Sequence, residues 1–246
     1  MSLPHPSPDP RLGARLTAVA GFVPEGAIVA DVGADHGHLV LALAERGHRC
    51  VATEVRRGPF EVLRANLALA DRGAMVDARF GDGLAPIAAG EVDVVCAAGI
   101  GGATIAGILE RGHTVLGSVQ RLILQPMAGE WQLRRRLIAL GWALVREELV
   151  EDGGYAYEIL VAEPGEPLGA YRDGPLPFEV ALRVGPLVGP TAHPALLTRW
   201  RDRLRRLRVQ RTRLPAADTE AIQRAAERLE READELTTWL RWCEGK

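Results

Sequence analysis

Lysine is nearly missing from this chain: of its 30 basic residues, only Lys246 is not arginine. The skew reads mainly as a GC-rich coding bias, although a guanidinium also suits phosphate binding. Cysteine is scarce as well. Cys50, Cys96 and Cys243 lie far apart and form no CxxC pair, which argues against a zinc ribbon or a disulfide scaffold and fits a reducing cytoplasm. No apolar run approaches the roughly 20 residues that span a bilayer. The first ten residues, MSLPHPSPDP, lack the apolar core of a signal peptide. A soluble protein with a flexible extension over residues 1–10 is expected. Excess charge is lacking too: the net charge is −2 and the pI is near 6.3. No global field draws the chain toward nucleic acid or anionic lipid, so any such attraction must come from a local patch. No repeat with a period of 20–50 residues is visible.

What is present suffices for a packed core. An apolar content of 47% in 246 residues fits one α/β domain of average size with an appendage. Ala27–Val32, Cys50–Glu54, Val76–Phe80, Val92–Ala97 and Arg121–Leu124 read as short, mostly apolar runs, the pattern of buried parallel strands. Helix-length segments lie between them, at Leu39–Arg46, Pro59–Arg72, Ala103–Arg111 and Trp131–Leu140. Alternation of this kind implies a doubly wound parallel sheet. After Leu140 the rhythm changes: Ala143–Val150 and Tyr155–Ala162 are separated only by Glu151-Asp152-Gly153-Gly154, a hairpin-type turn. A terminal antiparallel pair of this kind belongs to the sheet of class I methyltransferases more than to nucleotide oxidoreductases.

Residues 1–162 are therefore expected to form the α/β domain. Residues 163–194, dense in Pro and Gly, read as a linker with a packed piece around Phe178–Val188. In 195–246, Leu197, Trp200, Leu204, Leu207 and Leu214 step by helical intervals, and Ile222, Ala226, Leu229, Ala233, Leu236 and Leu240 do so after Pro215. The two stripes imply an antiparallel helical hairpin.

The chemistry concentrates in Ala30-Asp31-Val32-Gly33-Ala34-Asp35-His36-Gly37-His38, at the end of the first strand. In an open parallel sheet, ligands sit at the carboxyl ends of the strands. Glycines here admit close backbone approach, but the G-x-G-x-x-G phosphate fingerprint is absent: Asp35 stands where its middle glycine belongs, and a carboxylate there repels a pyrophosphate. The same acids suit a ligand with a cationic end. Asp31 and Asp35 could hold the methionine moiety of S-adenosyl-L-methionine, with His36 as a hydrogen-bonding wall. Glu54, ending the second strand, could accept from both ribose hydroxyls, and Asp82 of Gly81-Asp82-Gly83-Leu84, ending the third, from the adenine amino group. Two other readings stay open: a metal held by His36, His38 and the aspartates, which lacks a clear ligand set, and plain helix caps and turns.

Asp31-Val32-Gly33-Ala34-Asp35-His36, Glu54-Val55-x-x-Gly58-Pro59, Gly81-Asp82-Gly83-Leu84, Ala98-Gly99-Ile100-Gly101-Gly102, Leu122-Ile123-Leu124-Gln125-Pro126 and Tyr157-Glu158-Ile159 together resemble the bacterial TrmK-type tRNA (adenine(22)-N1)-methyltransferases. The resemblance runs from about Arg11 to the C-terminus. It implies a class I methyltransferase domain, a C-terminal coiled coil, and methylation of N1 of an adenine in the D-arm of tRNA with S-adenosyl-L-methionine. It marks Asp31, Gly33, Asp35, His36, Glu54, Val55, Asp82, Gly83, Ala98 and Gly99 as cofactor-binding. Gly99, Gly101, Gly102 and Gln125 become positioning residues for the base, with no general base and no metal. Four positions depart from the family pattern: His38 for tyrosine, Glu54 for aspartate, Ile100 for methionine and Met127 for asparagine.

Adenine N1 carries a free lone pair, so transfer to it needs alignment rather than a strong base. The absence of an Asn/Asp-Pro-Pro-aromatic motif after the fourth strand favours a ring nitrogen over an exocyclic amine. The local basic patch is in 196–213, where eight arginines face one acid, Asp202. Arg199, Arg203, Arg206, Arg208 and Arg211 are expected to contact RNA. The competing role is pairing with acids of the second helix. Two further readings remain: a methyltransferase for another RNA or a small molecule, its hairpin used for dimerisation, and an RNA-binding protein without turnover.

Overall fold

In the computed structural model, residues 12–172, 174–215 and 219–245 are described, and the extension expected over residues 1–10 lies outside them. The chain divides into two units, up to Pro167 and from Leu168.

The first unit carries seven strands: β1 (Val29–Val32), β2 (Cys50–Glu54), β3 (Val76–Phe80), β4 (Val94–Ile100), β5 (Arg121–Pro126), β6 (Trp142–Asp152) and β7 (Tyr155–Pro164). Their order is β3-β2-β1-β4-β5-β7-β6. β1 to β5 pair in parallel, and β7 runs antiparallel to both β5 and β6. The helices are α1 (Gly13–Gly21), α2 (His38–Glu45), α3 (Arg57–Leu69), α4 (Gly102–Arg111), α5 (His113–Leu116) and α6 (Glu130–Ala139).

β1, β2 and most of β5 are buried along their length, as expected of strands covered on both faces. β3 differs from the expectation of a buried strand because it lies at the sheet edge. Asp77 and Arg79 point into partly exposed positions there, and Arg79 pairs with Asp77 at 2.8 Å and also with Glu91. Charged side chains protect an edge against further pairing. The β6–β7 turn is tighter than expected, since β6 extends to Asp152 and only Gly153 and Gly154 join it to β7. Their φ values of 57° and 80° are those a two-residue type I′ turn demands.

α1 has no clear counterpart in the sequence patterning. Its N-terminus is held from a distance: the Asp152 carboxylate accepts the backbone N–H of Arg15 at 3.2 Å. A carboxylate there satisfies an otherwise orphan donor and the positive helix end.

The second unit contains α7 (Gly169–Arg172), α8 (Phe178–Val184), α9 (Pro194–Thr212) and α10 (Glu220–Glu244). Arg211 pairs with Glu230, Arg203 with Glu232 and Arg201 with Glu244. Partners rise in number on one helix as they fall on the other, so α9 and α10 run antiparallel. The segment expected as a linker is divided: residues up to Pro164 complete β7, whereas α8 packs on α10. Arg183 reaches Glu235 at 2.8 Å, and the Trp239 indole donates to the Gly189 carbonyl at 3.0 Å. Full burial follows that packing. Leu196, Trp200, Leu204, Leu207, Leu236, Trp239 and Leu240 are buried. Toward the turn, Leu214, Ile222, Ala226 and Leu229 stay half exposed because two helices alone cover only one face of each other.

Candidate active site

The carboxyl ends of β1 to β4 open onto a cavity of about 650 Å³. Asp31 ends β1 inside it. Its side chain is 4% exposed, and no donor among the described residues reaches its carboxylate. Burial, and then the nearby Glu54 charge, push this carboxyl up from 3.8 to about 7. A buried anion without donors is costly unless a cationic ligand supplies the missing partner.

The loop after β1 is tied to β2, since the N–H groups of Gly33 and Ala34 both donate to the Thr53 carbonyl, at 2.8 and 3.0 Å. Gly33 has φ 74°, and a Cβ there would lie 2.7 Å from Ile100 Cδ1. Conformation is what favours glycine here, since the Ile100 Cδ1 methyl ends a side chain that can shift. Asp35 adopts φ 52° and donates its backbone N–H to Glu54 Oε2 at 3.2 Å.

Glu54 is 2% exposed. Burial alone would raise its carboxyl. Hydrogen bonds from the Arg56 backbone at 2.8 Å and side chain at 3.2 Å, the Arg56 charge and the Asp35 N–H outweigh that and hold it below its ordinary range. Three of its four lone-pair sites are thus taken. Oε2 retains room for one ribose hydroxyl, not the two expected while Arg56 stays in place. Arg56 also reaches Asp35 at 3.1 Å, so it joins two walls of the cavity mouth.

Val55, Asp82, Gly83, Ala98, Gly99 and Gly101 line the cavity as well. Asp82 is exposed and pairs with Arg111 at 2.9 Å. The Thr53 hydroxyl donates to the Gly83 carbonyl at 2.9 Å, which fixes the third loop against the second.

Three sequence expectations need correcting. His36 is exposed and lies outside the cavity lining, where its carbonyl accepts from Asn66 at 2.9 Å; His38, at the start of α2, lines the cavity instead. Gly102 is a packing glycine. A Cβ there would lie 2.4 Å from the Gly129 carbonyl oxygen, and its N–H donates to Ala128 at 2.7 Å. Gln125 is fully buried and has no free edge to offer a base. Its Oε1 accepts from Arg15 Nη1 at 2.5 Å and from the Gly99 N–H at 3.0 Å, and its Nε2 donates to the Pro126 carbonyl at 2.9 Å. It fixes the bulge where β4 shifts register against β5 between Ala98 and Ile100, with Gly99 at φ 76°. Among the described residues, no three His, Cys, Asp or Glu side chains are grouped to hold a metal ion.

Arg15, Arg56 and Met127 also line the cavity, and none of them is a site residue in the sequence reading. Arg56 stands two residues beyond Glu54 and was within reach of the motif. Arg15 had no local signal, because both its anchors come from other elements.

Such a sheet, closing on an antiparallel seventh strand and gathering acids around a cavity at its carboxyl edge, defines a class I methyltransferase. Residues 12–160 match the family model described as a methyltransferase domain. The chain is 35% identical over 227 residues to the tRNA (adenine(22)-N(1))-methyltransferase of Bacillus subtilis, covering 89% of this chain and 94% of that protein. It belongs to the tRNA (adenine(22)-N1)-methyltransferase family. The crystal structure of the B. subtilis M1A22 tRNA methyltransferase TrmK superimposes with a TM-score of 0.86 at 33% identity, over 93% of this chain and 98% of that one. A Streptococcus pneumoniae relative, solved in complex with S-adenosyl-L-methionine, gives 0.77 at 32% identity over 92% and 98%.

Proposed function

We propose that this chain methylates N1 of adenine 22 in the D-arm of tRNA, using S-adenosyl-L-methionine. The observation that carries the reading is the buried Asp31 carboxylate without a donor, at the end of β1 in a family whose members are named for this reaction.

The residues fit the cofactor. Asp31 suits its ammonium, Oε2 of Glu54 one ribose hydroxyl, and Asp82 the adenine amino group, while Gly33 and Gly83 leave backbone room beside it. A pyrophosphate would meet Asp31 and Glu54 as like charges. When bound, S-adenosyl-L-methionine supplies a methyl group made electrophilic by sulfonium.

The chain's own contribution is positional. Gly99 and Gly101 present backbone without side chains at the end of β4, and Gln125 holds the Gly99 N–H in place. Adenine N1 is already a free nucleophile, so alignment supplies most of the catalysis and no general base is needed. A base-paired adenine hides N1, so the nucleotide must be unpaired or extruded, at a cost of roughly a few kcal/mol.

Contacts to the rest of the tRNA offset that cost, and α9 is suited to make them. Of the five arginines expected there, Arg203 and Arg211 are engaged with Glu232 and Glu230, and Arg199 lies over the Trp200 ring. Arg206 and Arg208 are exposed and without an acidic partner among the described residues, as is Arg213. These three are the RNA-facing set. No helix among the described residues is long and apolar enough to cross a membrane, and we place the protein with its tRNA in the cytoplasm.

The test is methylation of purified tRNA with labelled cofactor, followed by mapping of the modified base. N1-methyladenine at position 22 is expected. Product on an exocyclic amine, or outside the D-arm, overturns the reading.

A further inference from the structure

From the end of β4, where the target adenine is placed above, a line of side chains leads out to solvent. A Cβ on Gly99 would lie 3.6 Å from Arg15 Nη1. The same guanidinium lies over the Tyr157 ring at 5.5 Å from its centroid, and the Tyr157 and Tyr155 centroids are 6.4 Å apart with the rings tilted by 48°. Two residues apart on β7, the tyrosines share one face of the strand. Tyr155, the first residue after the Gly153-Gly154 turn, ends the line. It is 70% exposed, and its hydroxyl has no partner among the described residues.

Single exposed apolar residues are ordinary on a protein surface. Tyr155 differs in what holds it. Asp152 stands opposite it in the β6–β7 register and accepts the Arg15 backbone N–H at 3.2 Å, while Arg15 Nη1 donates to Gln125 at 2.5 Å and Gln125 accepts the Gly99 N–H at 3.0 Å. The hairpin tip, the start of α1 and the bulge at Gly99 are thus tied by one chain of hydrogen bonds. An exposed ring keeps a set position relative to the methyl-transfer end of the cavity.

The chemistry of the ring points to its partner. An adenine that leaves its stack to bring N1 to the methyl group deprives the neighbouring base of a stacking face. An aromatic side chain restores one for any base, because every base has a π-face. A phosphate is disfavoured at the same place, since the Asp152 carboxylate opposite Tyr155 carries a like charge.

We propose that Tyr155 is a positioning residue for the tRNA: its ring stacks on a base next to the target adenine and holds the opened strand while the adenine occupies the cavity. The proposal rests on the tRNA reading above.

The test is kcat/KM of the full chain, as wild type, Tyr155→Ala, Tyr155→Phe and Tyr155→Trp, on full-length tRNA and on two tRNAs made abasic at one or the other nucleotide flanking the target. Tyr155→Ala should lower kcat/KM by about 5- to 150-fold, the worth of one base–aromatic stack. Tyr155→Phe and Tyr155→Trp should recover most of that loss. One of the abasic tRNAs should lose a similar factor with wild type and nothing further with Tyr155→Ala, because ring and base act as a pair. Cofactor affinity in calorimetry should be the same in all four proteins.

An unchanged kcat/KM in Tyr155→Ala would overturn the proposal. A loss that Tyr155→Phe does not recover would overturn it in favour of a hydrogen bond from the hydroxyl, and a loss that adds in full to that of both abasic tRNAs would leave the ring acting only through the hairpin. Wild type that methylates no adenine at N1 would sink the tRNA reading itself, a failure distinct from these.

Discussion

Asp31→Asn should make the cofactor-free protein more stable at pH 8 while weakening its affinity for the cofactor. The native carboxyl sits at about 7 against an ordinary 3.8. At roughly 1.4 kcal/mol per pH unit, keeping it ionised in the folded protein costs about 4 kcal/mol above pH 7. Because the folded state holds this proton more tightly than the unfolded state, the effect has a definite sign. Stability falls as pH rises from about 4 to about 7, and levels off above. Asparagine removes the charge but leaves a buried amide without partners, at about 1–3 kcal/mol. The net gain at pH 8 is therefore about 2 kcal/mol, equivalent to a Tm higher by roughly 4–8 °C for a chain of this size.

Urea midpoints of both proteins at intervals from pH 4.5 to 8, without cofactor, provide the check. The curves should cross: wild type lies higher at the acid end, where its carboxyl is neutral, and the variant lies higher at pH 8. A companion titration should show wild-type cofactor affinity strengthening between pH 6 and 8, because an ammonium ligand binds the ionised carboxyl. If the variant is less stable at pH 8 and keeps the wild-type pH slope, Asp31 is a hydrogen-bonded structural residue and the argument from its missing donor is wrong.

Glu54→Ala should weaken cofactor binding by about 1–3 kcal/mol through loss of a charge-assisted acceptor, and wild-type affinity in calorimetry would mean that the ribose lies elsewhere. Gln125→Ala removes the amide that holds the Gly99 N–H and Arg15 together. It should lower kcat at saturating tRNA more than it raises the cofactor Kd; an unchanged kcat would refute the positioning role. Arg134 is fully buried against Glu147 at 2.7 Å and against Glu158, so Arg134→Met should remove the guanidinium between two buried carboxylates and cost about 3–5 kcal/mol in urea unfolding. Replacing Arg206 and Arg208 together by Gln should reduce the slope of log tRNA affinity against log salt by about 1.5, at roughly 0.7–0.9 per phosphate contact. An unchanged slope removes those two from the RNA interface.

The parts of the site legible in the sequence were those whose meaning is local. Gly33 is required by its own φ and Glu54 by its place at a strand end, and both follow from a few adjacent residues. Chain reversal at Gly153-Gly154 was legible for the same reason. Arg15 was not, because its anchors Asp152 and Gln125 lie 137 and 110 residues away. α1 likewise owes its N-terminal partner to the far hairpin, not to a capping residue of its own.

Gln125 shows a second kind of limit. A strand buried on both faces has no polar and apolar alternation, so the sequence of β5 cannot say which side of the sheet a polar residue serves. Its position at a strand end suggested contact with substrate, yet its hydrogen bonds turn it inward to the bulge. Asp31 combines the two cases. Its charge and its strand-end position are local facts, whereas the missing donor depends on every neighbour that could have supplied one. An aspartate with donors at that position would be a structural residue, and only the folded surroundings leave this one without them.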